Sequence, residues 1–148
     1  MDQLLAVVEP TDAAKELLRE AGSIAEALDA DLLLVHVTDA LEYSSRRKAM
    51  ESLTSSSVTY TRDEAQEGAT QFAHDIGSEV LTGFDVKYDA VGYLGNKAEK
   101  ILEAAEQQDC NHIFLTGRQR SPAGKALFGD ATQKVLLDFD GPVTVITD

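Results

Sequence analysis

The chain has 148 residues, of which 26 are Asp or Glu and 13 are Lys or Arg, so its formal net charge is −13. A chain this acidic repels polyphosphates and anionic lipids, which argues against a general nucleic-acid binder and against a membrane-surface protein. Its longest apolar stretch, residues 32–37, is far too short to span a bilayer, and no basic secretory leader is visible. We therefore expect a soluble, cytoplasmic protein, with an acidity that also suits the high-salt cytoplasm of a halophile.

The length is that of one domain, and we expect residues 1–148 to form it. The sequence has a single cysteine, Cys110, which excludes an intrachain disulfide framework and a multi-cysteine zinc site. Together with the nearby His112 it would give a metal only two ligands, so ordinary packing explains the pair better. We predict no metal site.

Two apolar patterns alternate along the chain. Apolar runs typical of strands buried on both faces occupy residues 4–8 and 32–37, and residues 86–91, 112–116 and 142–147 are interpreted as three further strands. Apolar residues at helical spacing follow the first four of these strands, in helices that begin near Asp12, Thr61, Asn96 and Asp130. The alternation predicts an α/β fold, an open five-stranded parallel sheet with helices on both faces. Residues 39–59 are irregular, and we expect a mobile surface connection there, with a functional lid as the alternative.

The loop after the fourth strand is the most informative segment, because open parallel sheets bind ligands beyond the carboxyl ends of their strands. Its glycines let the backbone approach a ligand, and the helix that follows offers free amide groups to an anion. Between Gly117 and Lys134 the chain has four cations and one acid, a local net charge of +3. The segment therefore predicts an anion site. The alternative is a solvated loop whose arginines pair with neighbouring carboxylates.

Several segments resemble the sequence pattern of one known family. Residues 3–11 (QLLAVVEPT) resemble its first strand, and residues 34–37 (LVHV) resemble its second. Residues 95–102 (GNKAEKIL) are similar to one of its helix starts, Gly-Asp-Pro-Ala-Glu-x-Ile-Leu. Residues 114–117 and 141–146 resemble its last two strands. On these segments the chain resembles the UspA-like universal stress protein family. The resemblance covers nearly the whole chain and implies a Rossmann-like fold of the adenine nucleotide alpha hydrolase type.

The family's nucleotide signature is altered in this sequence. It consists of Gly, two residues, Gly, nine residues, Gly, and then Ser or Thr. Gly117 keeps the first glycine, Arg120 stands at the second, and Gly129 follows after eight residues. Asp130 replaces the hydroxyl residue that contacts phosphate in ATP-binding members, and Glu9 replaces the acid that addresses the adenosine.

The resemblance implies a regulatory or stress-response protein that binds ATP or AMP weakly at the ends of strands one, two and four, with magnesium accompanying ATP. The adenine would lie against Val7, Val8, Glu9 and Val37. The phosphates would lie near Thr116, Gly117, Arg118, Arg120, Lys125, Gly129, Asp130, Ala131 and Thr132. The resemblance also implies a homodimer that pairs last strands through Val143, Thr144 and Val145. We predict no catalytic residue, and a slow ATPase is a third alternative.

Asp130 decides between two functions. Two unit charges about 4 Å apart repel by about 4 kcal/mol at an effective dielectric constant near 20, so a carboxylate beside a phosphate weakens binding. Asp is also a favoured N-cap, and Gln133 completes the spacing of a capping box. In the alternative function, Asp130 fills the phosphate position itself, and the chain is a nucleotide-free dimeric interaction module.

Overall fold

The computed structural model describes residues 2–39, 48, 62–117 and 128–147. The five strands are β1 (Gln3–Val7), β2 (Asp31–Thr38), β3 (Tyr88–Leu94), β4 (His112–Gly117) and β5 (Val143–Thr147). The helices between them are α1 (Asp12–Leu28), α2 (Arg62–Val80), α3 (Lys97–Gln107) and α4 (Asp130–Asp138). Apart from Asp39 and Lys48, the irregular segment predicted at 39–59 lies outside the described residues, and so does Thr61.

The strands form one parallel sheet in the order β3-β2-β1-β4-β5. The predicted open five-stranded α/β fold is therefore confirmed. The chain runs outward from β1 to β2 and β3 on one side, and then crosses to β4 and β5 on the other. This order reverses between β1 and β4, and a reversal of this kind opens a crevice at the carboxyl ends of the strands.

Helices cover both faces of the sheet and separate the core into two clusters. On one face, Leu4, Ala6 and Leu34 pack with residues of α1 and α2. On the other face, Leu5 and Val35 pack with residues of α3 and α4. This two-sided burial explains why the central strands are continuous apolar runs in the sequence. In the described part of the chain, no helix has the length and apolar character that crossing a membrane requires.

The helices α1 and α3 begin close to their predicted starts at Asp12 and Asn96, and a side chain caps each of them. The side chain of Thr11 accepts a hydrogen bond from the Ala14 amide at 3.1 Å, and it caps α1. The side chain of Asn96 accepts from the Glu99 amide at 3.0 Å, and it caps α3. Each cap satisfies one of the amide groups that the first turn of a helix leaves without a partner.

The predicted position of β3, residues 86–91, is wrong at both ends, because β3 spans Tyr88–Leu94. Gly92 does not end the strand but lies within it, against the backbone of α2. A Cβ at this position would lie 2.3 Å from the Thr70 amide nitrogen, and the Gly92 amide donates to Thr70 Oγ1 at 2.8 Å. The strand ends before Gly95, whose φ of +140° favours glycine.

Along the outer edge of β5, every second backbone amide points away from the sheet. The Ile113 amide donates to the Pro142 carbonyl at 3.1 Å, and Ile113 stands opposite Val143. In a parallel ladder of this register the Thr144 amide faces β4, so the amides of Val143 and Val145 face away from the sheet. Thr144, predicted as part of a dimer edge, therefore directs its amide into its own sheet.

Candidate functional site

A cleft of about 370 Å³ lies at the carboxyl end of β4 and the first turn of α4. The described residues that line it are Lys97, Thr116, Gly117, Phe128, Gly129, Asp130, Ala131 and Thr132. Six of them were predicted from the sequence as phosphate-side residues, and the fold brings these six together. The cleft lies beside the reversal of strand order between β1 and β4, where open sheets of this type bind ligands.

The first turn of α4 presents free amide groups to this cleft. Gly129 is the N-cap, with a φ of +94° that favours glycine, and among the described residues no side chain caps the helix. The first hydrogen bond of the helix joins the Gln133 amide to the Gly129 carbonyl at 3.0 Å. The amides of Asp130, Ala131 and Thr132 come before it and have no partner within the helix. Together with the helix dipole they favour an anion at this end of α4.

The capping box predicted for Asp130 and Gln133 is wrong. The backbone turn at Gly129 lets the helix start one residue earlier than expected, so Asp130 is its first helical residue rather than its cap. The carboxylate of Asp130 is exposed at the mouth of the cleft and accepts no capping hydrogen bond from the first turn. Its negative charge nevertheless lies at the same helix end as the free amides.

The hydroxyl group of Thr132 is already engaged. Thr132 is 5% exposed, and its Oγ1 donates to the Thr116 carbonyl at 2.8 Å. A hydroxyl has one hydrogen to donate, so Thr132 can accept a further hydrogen bond but cannot donate one to a phosphate while this bond lasts. The side chain therefore positions the start of α4 against β4.

Lys97 is a residue of the cleft that the sequence prediction missed. It is the first residue of α3, and its Nζ forms an ion pair with Glu9 Oε1 just beyond β1. The side chains of Lys97 and Glu9 are 33% and 21% exposed. Through this pair Glu9 reaches the edge of the cleft. The available signal was the family helix start, which has proline where this chain has Lys97.

The other predicted residues do not line the cleft as described. Val7, Val8 and Val37 are buried in the core at the ends of β1 and β2. The Val8 carbonyl accepts a hydrogen bond from His36 Nδ1 at 2.8 Å, which fixes the hydrogen of that imidazole on Nδ1. Arg118, Arg120 and Lys125, the predicted basic residues of the loop, lie outside the described residues.

Cys110 and His112 are packing residues at the opposite end of β4. Burial, with a smaller contribution from Asp109, raises the pKa of the Cys110 thiol to about 11. Burial lowers the pKa of His112, whose ring stacks on Phe114 and lies 2.8 Å from Thr144 Oγ1. Among the described residues, no group of three or more His, Cys, Asp or Glu is placed to hold a metal ion.

The fold is that of a Rossmann-like α/β protein, with a cleft beside its strand-order reversal. Residues 1–147 match the sequence model of the universal stress protein family. The chain therefore belongs to the universal stress protein family. No curated protein sequence matches it.

Solved structures agree with this fold. Hypothetical protein MJ0577 is similar with a TM-score of 0.73 and 20% identity, over 99% of this chain and 96% of that one. A universal stress protein in complex with cAMP has a TM-score of 0.66 and 13% identity, over 99% and 96% of the two chains. The universal stress protein from Archaeoglobus fulgidus in complex with dAMP has a TM-score of 0.63 and 15% identity, over 99% and 98%.

Proposed function

We propose that this chain binds an adenine nucleotide, ATP or AMP, weakly in the cleft between β4 and α4. The observation that carries the proposal is the first turn of α4, because no side chain of the described residues caps the amides of Asp130, Ala131 and Thr132 beside the cleft. An array of free amides at a helix start is suited to a phosphate group. The same observation favours a nucleotide over the alternative in which Asp130 fills the phosphate position.

The nucleotide would lie across the reversal of strand order. Its phosphates would contact Gly117, Gly129 and the first turn of α4, with Arg118, Arg120 and Lys125 as further cations. Its adenosine would lie toward Glu9 and the ends of β1 and β2, at Val7, Val8 and Val37. The ligands in the structures of two relatives, cAMP and dAMP, support an adenine nucleotide as the class of ligand.

The negative charge of Asp130 would weaken the binding of a phosphate group beside it and favour a nucleotide that carries a metal cation. ATP would bind with magnesium, because the cation offsets phosphate charge next to the carboxylate. We propose a regulatory or stress-protective role through nucleotide occupancy, in a cytoplasmic homodimer that pairs β5 strands. The net charge of −13 is suited to the high-salt cytoplasm of a halophile.

The direct test is identification of the ligand followed by measurement of its affinity. Mass spectrometry of the material released from gently purified, denatured protein is expected to detect AMP or ATP. Titration calorimetry at low and high salt is expected to give dissociation constants of millimolar or tighter for AMP and for ATP with magnesium. A chain that carries no nucleotide and binds none at either salt concentration would contradict the proposal and support the nucleotide-free interaction module.

A further inference from the structure

Helix stability does not explain the lysine at the start of α3. Lys97 is the first residue of that helix, where the dipole of the helix disfavours a positive charge. Proline is favoured at the first helical position, and it is the residue of the family's own helix start. Lys97 therefore departs from the family pattern without stabilising its own helix.

The position of Lys97 indicates a role in the cleft instead. Its side chain lines the same cleft as the first turn of α4, and its ammonium group is paired with Glu9. Among the described lining residues, Lys97 supplies the positive charge and Asp130 the negative charge. An ammonium group has three hydrogen-bond donors, so Lys97 can keep its bond to Glu9 and still donate to a ligand oxygen.

We propose that Lys97 selects phosphorylated over unphosphorylated ligands in this cleft, and that Glu9 is its counter-ion when no phosphate is bound. The inference rests on the proposed nucleotide function and assigns to that site a residue that the family signature does not contain. Glu9 has two effects in this arrangement. It holds the ammonium at the edge of the cleft, and it competes with a phosphate for it.

The test compares AMP with adenosine, because the two ligands differ only in the phosphate. Lys97→Met is expected to weaken AMP binding by about tenfold or more, the contribution of one charge-assisted hydrogen bond, with little change for adenosine. Lys100→Met is the matched control. Lys100 lies one turn further along α3, is 32% exposed against 33% for Lys97, and pairs with Glu103 at 3.3 Å. It removes the same charge and is expected to leave both affinities unchanged.

A second variant, Lys97→Pro, keeps the test informative if Lys97→Met fails to fold. Lys97→Pro restores the family residue at a helix position that favours proline. Asn96 has φ −74° and ψ 124°, which is the extended conformation that a residue before proline adopts. Thermal unfolding of Lys97→Pro is therefore expected to match that of the wild type, while its preference for AMP over adenosine falls as in Lys97→Met.

Glu9→Gln tests the role of the counter-ion. Glu9 also lies toward the adenosine in the proposed site, so the readout is the ratio of AMP affinity to adenosine affinity. Removal of the competing carboxylate is expected to raise this ratio several-fold. An unchanged or lower ratio in Glu9→Gln would overturn the competing role of Glu9.

The outcomes separate this inference from the proposed function. A wild-type chain that binds neither AMP nor adenosine overturns both. A wild-type chain that binds AMP, with both Lys97 variants keeping its preference for AMP, overturns the role of Lys97 alone. The role of Lys97 is also overturned if its variants lose affinity for AMP and adenosine equally. It is overturned as well if Lys100→Met loses as much affinity for AMP as Lys97→Met does.

Discussion

Thr132 donates its hydroxyl hydrogen to the carbonyl oxygen of Thr116 over 2.8 Å. The bond joins the first turn of α4 to the end of β4, and both residues line the cleft. A second close approach lies beside it, where a Cβ on Gly117 would stand 3.2 Å from the Phe128 carbonyl. The end of β4 and the start of α4 therefore pack closely together, and the hydroxyl of Thr132 fixes the first turn of the helix against the strand.

Replacement of Thr132 by valine tests this connection. Valine has nearly the same shape but no hydroxyl, so Thr132→Val loses the bond to Thr116 and buries a carbonyl that has lost its donor. The expected loss is about 1 kcal/mol in the free energy of unfolding, measured by urea denaturation. Thr147→Val, at an exposed position that ends β5, is the control and is expected to change it by less than about 0.5 kcal/mol. Equal effects of the two variants would contradict a specific role for the Thr132 hydroxyl.

Asp130 is expected to act as an electrostatic gate on the cleft. Asp130→Ser removes a negative charge beside the phosphate position and restores the hydroxyl of the family signature. Calorimetry is expected to show a several-fold gain in affinity for ATP with magnesium and a smaller gain for adenosine, because only ATP brings charge to that region. Because Asp130 is the first helical residue, the variant also loses a favourable interaction with the helix dipole, up to about 1 kcal/mol of stability.

Asp138→Ser is the matched control for this gate. It removes the same charge from the opposite end of α4, where Asp138 pairs with Lys134 at 3.1 Å. Its affinities for ATP and adenosine are expected to stay at wild-type values. Equal gains for ATP and adenosine in Asp130→Ser would indicate a steric or remote cause instead of a charge effect.

The features that the sequence predicted correctly depend on residues close together in the chain. The side chains of Thr11 and Asn96 cap their helices by accepting from the amide three residues later, so both partners of each hydrogen bond lie in one short sequence segment. The order of the elements is equally local, because apolar runs such as those of β1 and β2 alternate along the chain with apolar stripes at helical spacing. The family resemblance named six phosphate-side residues that the fold brings to one cleft, and their contact with a nucleotide stays a prediction.

The features that it missed depend on contacts made only in the folded chain. Lys97 and Glu9 are far apart in the sequence, and the fold brings α3 next to the end of β1. In the sequence Gly92 has the pattern of a strand end, but in the folded chain it lies within β3 against the backbone of α2. Asp130 matches the local pattern of an N-cap, but the positive φ of Gly129 makes Gly129 the cap.

Cys110 is expected to make stability depend on pH in the alkaline range. Burial raises the pKa of its thiol from 9.0 to about 11, so the folded chain holds a proton there that the unfolded chain releases. The contribution is present in full below pH 9 and is lost as the pH rises toward 11. The free energy of unfolding of the wild type is therefore expected to fall more steeply than that of Cys110→Ala between pH 8.5 and about 11.

The comparison with Cys110→Ala also isolates this thiol from other groups. Tyr93, whose pKa is raised by burial, by Glu103 and least by Cys110, keeps its two larger causes in both chains, so most of its titration cancels in the difference. The cavity left by alanine lowers stability by an amount that does not depend on pH. Parallel pH profiles of the two chains would contradict the prediction.

The edge of β5 is expected to form a symmetric dimer, and its backbone defines the test. Antiparallel pairing of two β5 strands would use the outward amides of Val143 and Val145. Val145→Pro removes one of these donors and leaves the bonds between β4 and β5 in place, which proline permits at an edge strand. Analytical ultracentrifugation is expected to show a wild-type dimer that tightens as salt screens the repulsion between two chains of charge −13, and a monomer for Val145→Pro.

Thr144→Pro completes the test, because the Thr144 amide faces β4 and not the free edge. This variant removes a hydrogen bond within the chain, so its main expected effect is a lower free energy of unfolding. The two substitutions introduce the same residue at adjacent positions, and they differ in the direction of the amide that is lost. A wild-type monomer at every salt concentration would reject the dimer. A folded Val145→Pro chain that dimerises as tightly as the wild type would place the contact on another surface, since the β5 ladder needs the amide that this variant lacks.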